Sequence, residues 1–332
     1  MKQEKPEKSR HIATLLALLI GALVVPLTAR DNEYTLHLYI ICVINTIVAA
    51  SLRSMAKTGQ MSIGQAGFMS IGAYTSAILA VKFQMPVYGA MLLGGVASMV
   101  FAVLIGFPLS RIKTVYFVMV TMFLGEIIRL VGFEWRTMTG GATGMEGIPR
   151  PGVFPLPGIL QVDFGGKLAF CYLVLFIALA VLLILYNIDR SHPGTVLSAI
   201  GQEESLASSL GINVAGYKVM ILGLGCFFTG LAGAIYAHYM TVLNPDAFGI
   251  FTSLYILIYV VVGGKAFAGP VAGAVLLTLI PELFSTLKEY QPFVFVLVLL
   301  LVVFLLPGGL TDLPRRIGPQ IRRLIGKGPS HV

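Results

Sequence analysis

Long apolar runs, separated by short polar or glycine-rich segments, follow one another along most of the chain. A helix of about 20 apolar residues crosses the roughly 30 Å hydrocarbon core of a bilayer and satisfies its own backbone hydrogen bonds. The pattern therefore predicts an all-α polytopic membrane protein with about ten transmembrane helices, within a range of eight to ten. The ten segments are 11–29, 34–52, 61–81, 86–107, 114–131, 168–187, 217–239, 250–264, 270–287 and 292–306.

The composition supports this class of protein. Only 11% of the 332 residues are charged and 57% are hydrophobic, whereas about 25% of the residues in a soluble domain are charged. So few charges cannot cover a water-exposed surface. The 37 glycines suit membrane helices, which associate through close contact of small residues.

The basic residues indicate the orientation. With the N-terminus inside, 16 of the 23 Lys and Arg residues fall in inner segments and 7 in outer ones, as the positive-inside rule requires. We expect both termini in the cytoplasm, and this asymmetry explains the net charge of +8 better than nucleic-acid binding does. The expected organisation is a cytoplasmic tail (1–10), a transmembrane domain (11–306) and a basic cytoplasmic tail (307–332). Leu27-Thr28-Ala29 is a poor cleavage site, so we expect the first apolar segment to be retained.

Two loops are longer than a helix connection needs, and such loops are often functional. Loop 132–167 should lie outside and is rich in Gly, Pro and Thr, whereas loop 188–216 should lie inside. In the inner loop, apolar residues recur at nearly helical spacing with an interruption at Glu203, and Gly211 stands where a helix would end. This pattern predicts a short amphipathic cytoplasmic helix.

The polar face of that helix is acidic and serine-rich, and residues 191–217 contain no Lys or Arg. A helix seeking anionic lipid would be basic. An acidic face of small residues is better suited to a groove in a protein partner. Docking to a partner is therefore favoured over a helix lying passively on the membrane surface, and both interpretations stay open.

Polar residues within the apolar segments are candidates for a translocation pathway, since irregular backbone is tolerated in a membrane only where it is enclosed. The candidates are Gln60, Ser62, Gln65, Thr121 and Glu126. The alternative is that they and the neighbouring glycines serve helix packing. Glu126 and Arg129 lie three residues apart, on one helix face, and an internal salt bridge near the outer end is favoured over substrate contact.

The sequence predicts neither a catalytic site nor a metal site. The histidines are scattered, and His37 and His238 lack Cys or carboxylate neighbours at metal-ligand spacing. The three cysteines lie in apolar segments, where cysteine usually behaves as a small buried hydrophobe. The sequence contains no G-x-x-x-x-G-K-[ST] phosphate loop, so we expect any ATP hydrolysis to occur in another chain.

Four stretches, in the expected order, resemble branched-chain amino acid permeases of ATP-binding-cassette (ABC) importers, LivM type. They are 59–74 (GQMSIGQAGFMSIGAY), 114–148 with its outer TGG…G…GIP loop, the 199–239 region, and 263–274 (GGKAFAGPVAGA). In that family the inner loop is a coupling helix that docks into an ATPase subunit. The resemblance assigns this role to Ile200, Glu203, Glu204, Ala207, Leu210 and Gly211. The family commonly has Arg at the position of Gly201 and an acidic residue at that of Gln202.

The resemblance implies an inner-membrane permease subunit, not an enzyme, that moves branched-chain amino acids, or related amino acids and amides, into a bacterial cell by alternating access. The implied partners are a homologous second permease, two cytoplasmic ATPases that bind the ATP, and an external substrate-binding protein. The chain itself would need no cofactor. The outer loop would dock the binding protein or form a re-entrant cap, through Thr139, Gly140, Gly141 and Gly144. Its two halves could form an inverted repeat. The alternative is a stand-alone secondary transporter or channel for a small polar solute.

Overall fold

The computed structural model describes residues 26–27, 32–112, 114–154, 162–264, 266–283, 300 and 309–310. The predicted segments 11–29 and 292–306 lie outside the described residues, apart from positions 26, 27 and 300, and so do the N-terminal tail and most of the C-terminal tail. The other eight predicted segments are each helical over most of their described residues, and positions 284–287 of segment 270–287 lie outside the described part.

The described part contains eleven α-helices. The long ones match predicted segments, and the short ones lie in the two long loops. The helices are α1 Glu33–Ala56, α2 Gln65–Lys82, α3 Val87–Leu109, α4 Thr114–Glu134, α5 Arg136–Thr139, α6 Lys167–Arg190, α7 His192–Gln202, α8 Glu204–Ser209, α9 Val214–Met240, α10 Ile250–Gly263 and α11 Gly269–Leu283. Single 3₁₀ turns cover Gly141–Thr143 and Pro245–Phe248, and the two-residue strands β1 Val153–Phe154 and β2 Val162–Asp163 pair antiparallel in the outer loop.

Six of the described segments are long and apolar enough to cross a membrane. They are Glu33–Ala56, Val87–Leu109, Val115–Glu134, Lys167–Arg190, Val214–Met240 and Pro245–Gly263. The structure thus confirms a helical, polytopic membrane protein. The count of ten spans, the cytoplasmic termini and the inverted repeat stay predictions.

Helix α9 is the centre of the bundle and packs against α1, α2 and α3. Glycines permit the close approach, as expected for membrane helices. A β-carbon added at Gly72 of α2 would overlap the backbone of Gly230 in α9, and one at Gly94 of α3 would lie 2.5 Å from the carbonyl oxygen of Gly72. These three glycines therefore fix the spacing of α2, α3 and α9. By contrast, only 17% of the apolar window of α4 is buried, so α4 lies at the edge of the bundle.

Asparagine side chains cap the N-termini of two of the long helices. Oδ1 of Asn32 accepts hydrogen bonds from the backbone of Tyr34 and Thr35 at the start of α1, at 3.1 and 3.3 Å. Oδ1 of Asn213 accepts one from the backbone of Gly216 in α9, at 3.0 Å. Both caps satisfy N–H groups that have no partner within the first helical turn. They fix where α1 and α9 enter the bundle.

Candidate functional site

The predicted amphipathic helix of the inner loop is two short helices at an angle. Helix α7 ends at Gln202 and α8 begins at Glu204, because Glu203 between them is extended, with φ −153° and ψ 107°. This is the position where the apolar periodicity is interrupted. Gly211 has φ +80° and its N–H donates to the carbonyl of Ser208, so it ends α8 as the sequence predicted.

The six residues assigned to coupling divide between two faces of this segment. Ile200 and Ala207 are buried in a small cluster with Val196, against Ile212, Val214 and Tyr217 at the start of α9. Glu203, Glu204, Leu210 and Gly211 are exposed. Leu206, which the sequence analysis did not select, is 61% exposed beside Leu210 at 74%. Four residues apart along the chain, these two leucines form an apolar ridge pointing away from the bundle, with Glu203 at its N-terminal end.

The inner face of α7 is held against the C-terminal end of α1. A β-carbon added at Gly201 would overlap the carbonyl oxygen of Lys57 and lie 2.9 Å from its carbonyl carbon. This contact gives the physical reason for glycine where the resembling family commonly has Arg, because no side chain fits at this position. A salt bridge also fixes α8 to the bundle, since the carboxylate of Glu204 lies 2.6 Å from the ammonium group of the buried Lys218 in α9.

An ion cluster that the sequence analysis missed lies beside this contact. Asp189, at the end of α6, forms salt bridges with two residues at the end of α1, with Arg53 at 2.8 Å and with Lys57 at 2.7 Å. The Arg53 guanidinium also lies 5.3 Å from the ring centre of Phe267, in the turn before α11. The cluster joins three parts of the bundle next to α7. In the sequence, Asp189 is only an acidic residue at the start of the predicted inner loop 188–216. Its position does not indicate that Arg53 and Lys57 are its partners.

The predicted pathway residues Ser62, Gln65 and Thr121 are buried where α2 begins. The Gln65 side chain accepts a hydrogen bond from Thr229 of α9 at 2.9 Å and donates one to the sulfur of Met55 at 3.2 Å. Oγ of Ser62 accepts a bond from the N–H of Gly64. Oγ1 of Thr121 accepts one from the N–H of Ile63, at 3.3 Å. These contacts are those of packing residues, and a role in the pathway stays a prediction.

Gln60 differs from the other pathway candidates. It is 4% exposed, and its Oε1 is buried without a hydrogen-bond partner among the described residues. An unsatisfied buried acceptor costs about 1–3 kcal/mol, so it indicates a place where water or a ligand group can bind.

Glu126 and Arg129 form the intrahelical salt bridge that their spacing predicted. The structure adds Asp246, whose carboxylate lies 3.0 Å from the Arg129 guanidinium, and the ring of Phe133, which lies 5.0 Å from it. Asp246 is in the turn that precedes α10, so the arginine connects α4 with that turn. Sequence spacing could predict the first pair because it is local, but not the second.

In the outer loop the four assigned residues shape the backbone. The buried hydroxyl of Thr139 donates to the carbonyls of Gly132 and Trp135 and accepts from the N–H of Gly141. Gly140, Gly141 and Gly144 all have positive φ, between 63° and 82°. Beyond them, Met145 and Leu243 exchange backbone hydrogen bonds of 2.8 and 2.9 Å. The loop is thus fixed to the end of α9, and its exposed residues include Thr143, Glu146 and Arg150.

The two intramembrane histidines form hydrogen bonds to neighbouring helices and loops. His238 lies 2.8 Å from the hydroxyl of Ser76 and 2.7 Å from the carbonyl oxygen of Pro149 in the outer loop. His37 lies 2.7 Å from the hydroxyl of Tyr239 and stacks on its ring. All three cysteines are buried, as the sequence predicted.

A bundle of apolar helices, six of them long enough to cross a bilayer, defines an integral membrane protein. The family model for the branched-chain amino acid transport system permease component matches residues 34–306. The protein belongs to that family. It is the permease subunit of an ABC importer, a multi-pass protein of the bacterial inner membrane.

Curated relatives agree with the family assignment. The protein is similar to the LivM permease of the high-affinity branched-chain amino acid transport system of Salmonella typhimurium, at 28% identity over 94% of this chain and 77% of the relative. A probable LivM permease of Methanocaldococcus jannaschii is 23% identical over 76% of this chain and 77% of its own length. The guanosine ABC transporter permease NupQ of Bacillus subtilis is 27% identical over 54% of this chain and 59% of its own. No solved structure matches the protein.

Proposed function

We propose that this protein moves branched-chain amino acids into the cytoplasm as one of two homologous permeases. Two cytoplasmic ATPases would bind and hydrolyse the ATP, and an external binding protein would deliver the substrate. The support for the substrate is the family match together with the two LivM relatives. The guanosine permease among the relatives makes substrate identity the point to test first.

The main support for docking to the ATPases is the α7–α8 segment, whose two sides have different surroundings. Its outer side presents Leu206, Leu210 and Glu203, whereas its inner side is packed on the bundle through Ile200, Ala207 and Gly201. An apolar ridge with an acidic end fits a groove on a partner, as in other helix-in-groove complexes. Because the inner side is fixed, movement of the ridge would move the ends of α1 and α6 with it.

The route from this ridge to the membrane is short. Gly201 contacts the carbonyl of Lys57, and residues 57–64 lead directly to the start of α2. There the N–H of Ala66 donates to the hydroxyl of Ser253 in α10, at 3.0 Å. Closure of the ATPases would therefore displace α1, the 57–64 segment and α2 together, and α10 through them. Such a displacement is the change that alternating access requires.

On the outer side, we assign binding-protein contact to the exposed residues of loop 138–152. Thr139, Gly140, Gly141 and Gly144 would hold the loop in shape, and Thr143, Glu146 and Arg150 would meet the partner. This division follows from burial, because Thr139 and Gly141 are buried and Gly140 and Gly144 are half-buried, whereas the other three residues are exposed.

The experiment reconstitutes the protein with the ATPases, the second permease and the binding protein. It compares Glu203→Lys on the cytoplasmic side with Glu146→Lys on the outer side. We expect Glu203→Lys to reduce ATPase co-purification and leave insertion intact. Glu146→Lys should retain the ATPases and instead reduce hydrolysis stimulated by the loaded binding protein. Gly211→Pro should resemble Glu203→Lys, because a proline ring holds φ near about −65° whereas this position has φ +80°. Full ATPase association and ATP-dependent uptake by Glu203→Lys and Gly211→Pro would contradict the coupling assignment.

A further inference from the structure

A cavity of about 260 Å³ lies between α1, α2, α9, the turn Pro245–Phe248 and α10. None of the predicted pathway residues lines it. One wall is apolar and consists of Ile44, Met69, Phe248 and Ile256. Met69, Phe248 and Ile256 are buried, and Phe248 is fixed by edge-on contacts with the rings of Tyr74 and Tyr236. The apolar wall is therefore preformed.

The remaining polar side chains of the lining are uncharged. They are Asn45, Thr252, Tyr255 and Tyr259, and Thr252 and Tyr259 share the face of α10 that carries Ile256. The amide nitrogen of Asn45 donates to the hydroxyl of Thr278 in α11 at 3.2 Å, and the hydroxyl of Thr252 donates to the carbonyl of Ala247 at 2.9 Å. These bonds orient the amide and hydroxyl at the rim. The cavity thus has a mainly apolar interior, which also includes the buried Tyr259, and a hydrogen-bonding edge at Asn45 and Thr252.

Among the lining residues Tyr255 is exposed and Asn45 and Thr252 are half-buried, so within the described part of the chain the mouth of the cavity lies beside these three side chains. Polar side chains within membrane-spanning segments rarely face lipid and usually face the protein interior or an aqueous path. The mouth is therefore better placed to face the second permease across a pathway than to face acyl chains. That location suits a solute moving between the two subunits.

The lining also defines the chemistry of the occupant. An apolar cavity of about 150 Å³ holds a molecule the size of benzene, so the volume here suffices for a branched aliphatic side chain and part of its backbone. No described lining residue is charged, and a charged side chain would be desolvated here without a counter-ion. At the rim, Oδ1 of Asn45 and the hydroxyl oxygen of Thr252 can accept from the amino group of a zwitterion, and the second N–H of the Asn45 amide can donate to its carboxyl group.

We infer that this cavity receives the aliphatic side chain of the amino acid in transit, with the backbone of that amino acid held at the rim by Asn45 and Thr252. The inference rests on the proposed function and deepens it, because it places substrate selection within the permease as well as in the binding protein. A lipid acyl chain is the competing occupant.

The first test labels the cavity directly in the assembled wild-type transporter. Photo-leucine, whose side chain carries a diazirine, is supplied with the binding protein and ATP, the sample is illuminated during uptake, and labelled peptides are identified by mass spectrometry. We expect label on α10 around Ile256 and on Met69, abolished by excess leucine. Uptake without label in these segments would overturn the inference, as would label at the cavity from a photoactivatable lipid that leucine does not displace.

The second test fills the cavity. Ala247 lines it, and Ala247→Phe should reduce leucine uptake by about tenfold or more, since added volume in a filled site displaces a ligand of similar size. ATPase co-purification should stay within about twofold of wild type, because the proposed ATPase contact lies at α8 and not at the cavity. The matched control is Ala180→Phe on the exposed side of α6, which should transport normally. Wild-type uptake by Ala247→Phe would overturn the inference.

The two proposals fail in different ways. Absence of ATP-driven uptake of any branched-chain amino acid by the wild-type complex would reject the proposed function and this inference with it. Normal uptake together with an unlabelled cavity, or with an Ala247→Phe variant that transports normally, would reject the inference alone. If Ala247→Phe fails to assemble, the labelling of the wild-type complex still decides between the amino acid and the lipid.

Discussion

The backbone of Gly201 in α7 lies directly against the carbonyl of Lys57 at the end of α1, with no space for a β-carbon between them. This contact joins the protruding inner segment to the transmembrane bundle. It is also a position where the sequence departs from the residue common in the resembling family. Small residues allow such backbone contact, and the contact is lost when a side chain is added.

Gly201→Ala tests whether the contact transmits movement. We expect lower ATP-driven uptake with normal membrane insertion, because α7 must move away from Lys57 to accommodate the methyl group. Overpacking of this kind costs about 1–3 kcal/mol. The measurement is leucine uptake together with ATPase co-purification. Gly166→Ala is the control, because a β-carbon there meets nothing within 4 Å. Equal uptake by both variants would show that the contact is not needed.

Leu206→Ala tests the apolar ridge. The side chain is 61% exposed in the isolated chain, and burying a leucine in an interface contributes about 1.5–3 kcal/mol. We expect ATPase retention to weaken by about tenfold or more, since about 1.4 kcal/mol corresponds to a factor of ten. The assay is a pull-down of the ATPase by the tagged permease. Leu92→Ala, an equally exposed leucine on α3, should retain the ATPase. Loss in both variants would indicate a general folding defect instead.

Asp189→Asn tests the ion cluster at the inner end. The side chains of Arg53 and Asp189 are 9% and 12% exposed, and removing one partner of a buried pair costs about 3–5 kcal/mol. We expect a lower melting temperature of the purified protein. Glu33→Gln is the matched control at an exposed pair with Lys167, where the side chains are 79% and 36% exposed. An exposed pair is screened by solvent and contributes little to stability, so equal melting temperatures for the two variants would contradict a stabilising role for Asp189.

Gln65→Leu separates packing from a pathway role at the start of α2. Because Thr229 and Met55 engage both ends of the buried amide, we expect a packing role. Gln65→Leu and Thr229→Val should each lower stability by about 1–3 kcal/mol, because each leaves the other buried side chain without its hydrogen bond. The double variant should lose little more than either single one. Reduced uptake by Gln65→Leu alone, with unchanged stability, would instead place this side chain in the pathway.

The positions of the helices could be read from the sequence because the signal is local. A long apolar run predicts a span wherever it occurs, and eight of the ten predicted segments are helices in the described part of the chain. The break at Glu203 and the helix end at Gly211 were also visible, since both depend on periodicity and backbone preference within one turn.

Contacts between distant segments were not visible in the sequence. The Asp189 cluster joins residues 136 positions apart, and the cavity is lined by five different elements. Which residues of the inner loop face outward was likewise visible only from their burial in the structure. Ala207 and Leu206 are neighbours in the sequence, yet one is buried and the other projects outward. Periodicity alone did not assign Leu206 to the outer ridge, because the bend at Glu203 changes the direction of the helix.

We propose that substrate moves only when ATPases are bound through the α7–α8 segment. The most direct measurement places the purified permeases in liposomes with a leucine gradient, without and with the ATPase subunits, the loaded binding protein and ATP. We expect no saturable leucine flux from the permeases alone, and uptake only when all components and ATP are present. Saturable flux without nucleotide or companion proteins would contradict this proposal and would support a stand-alone transporter.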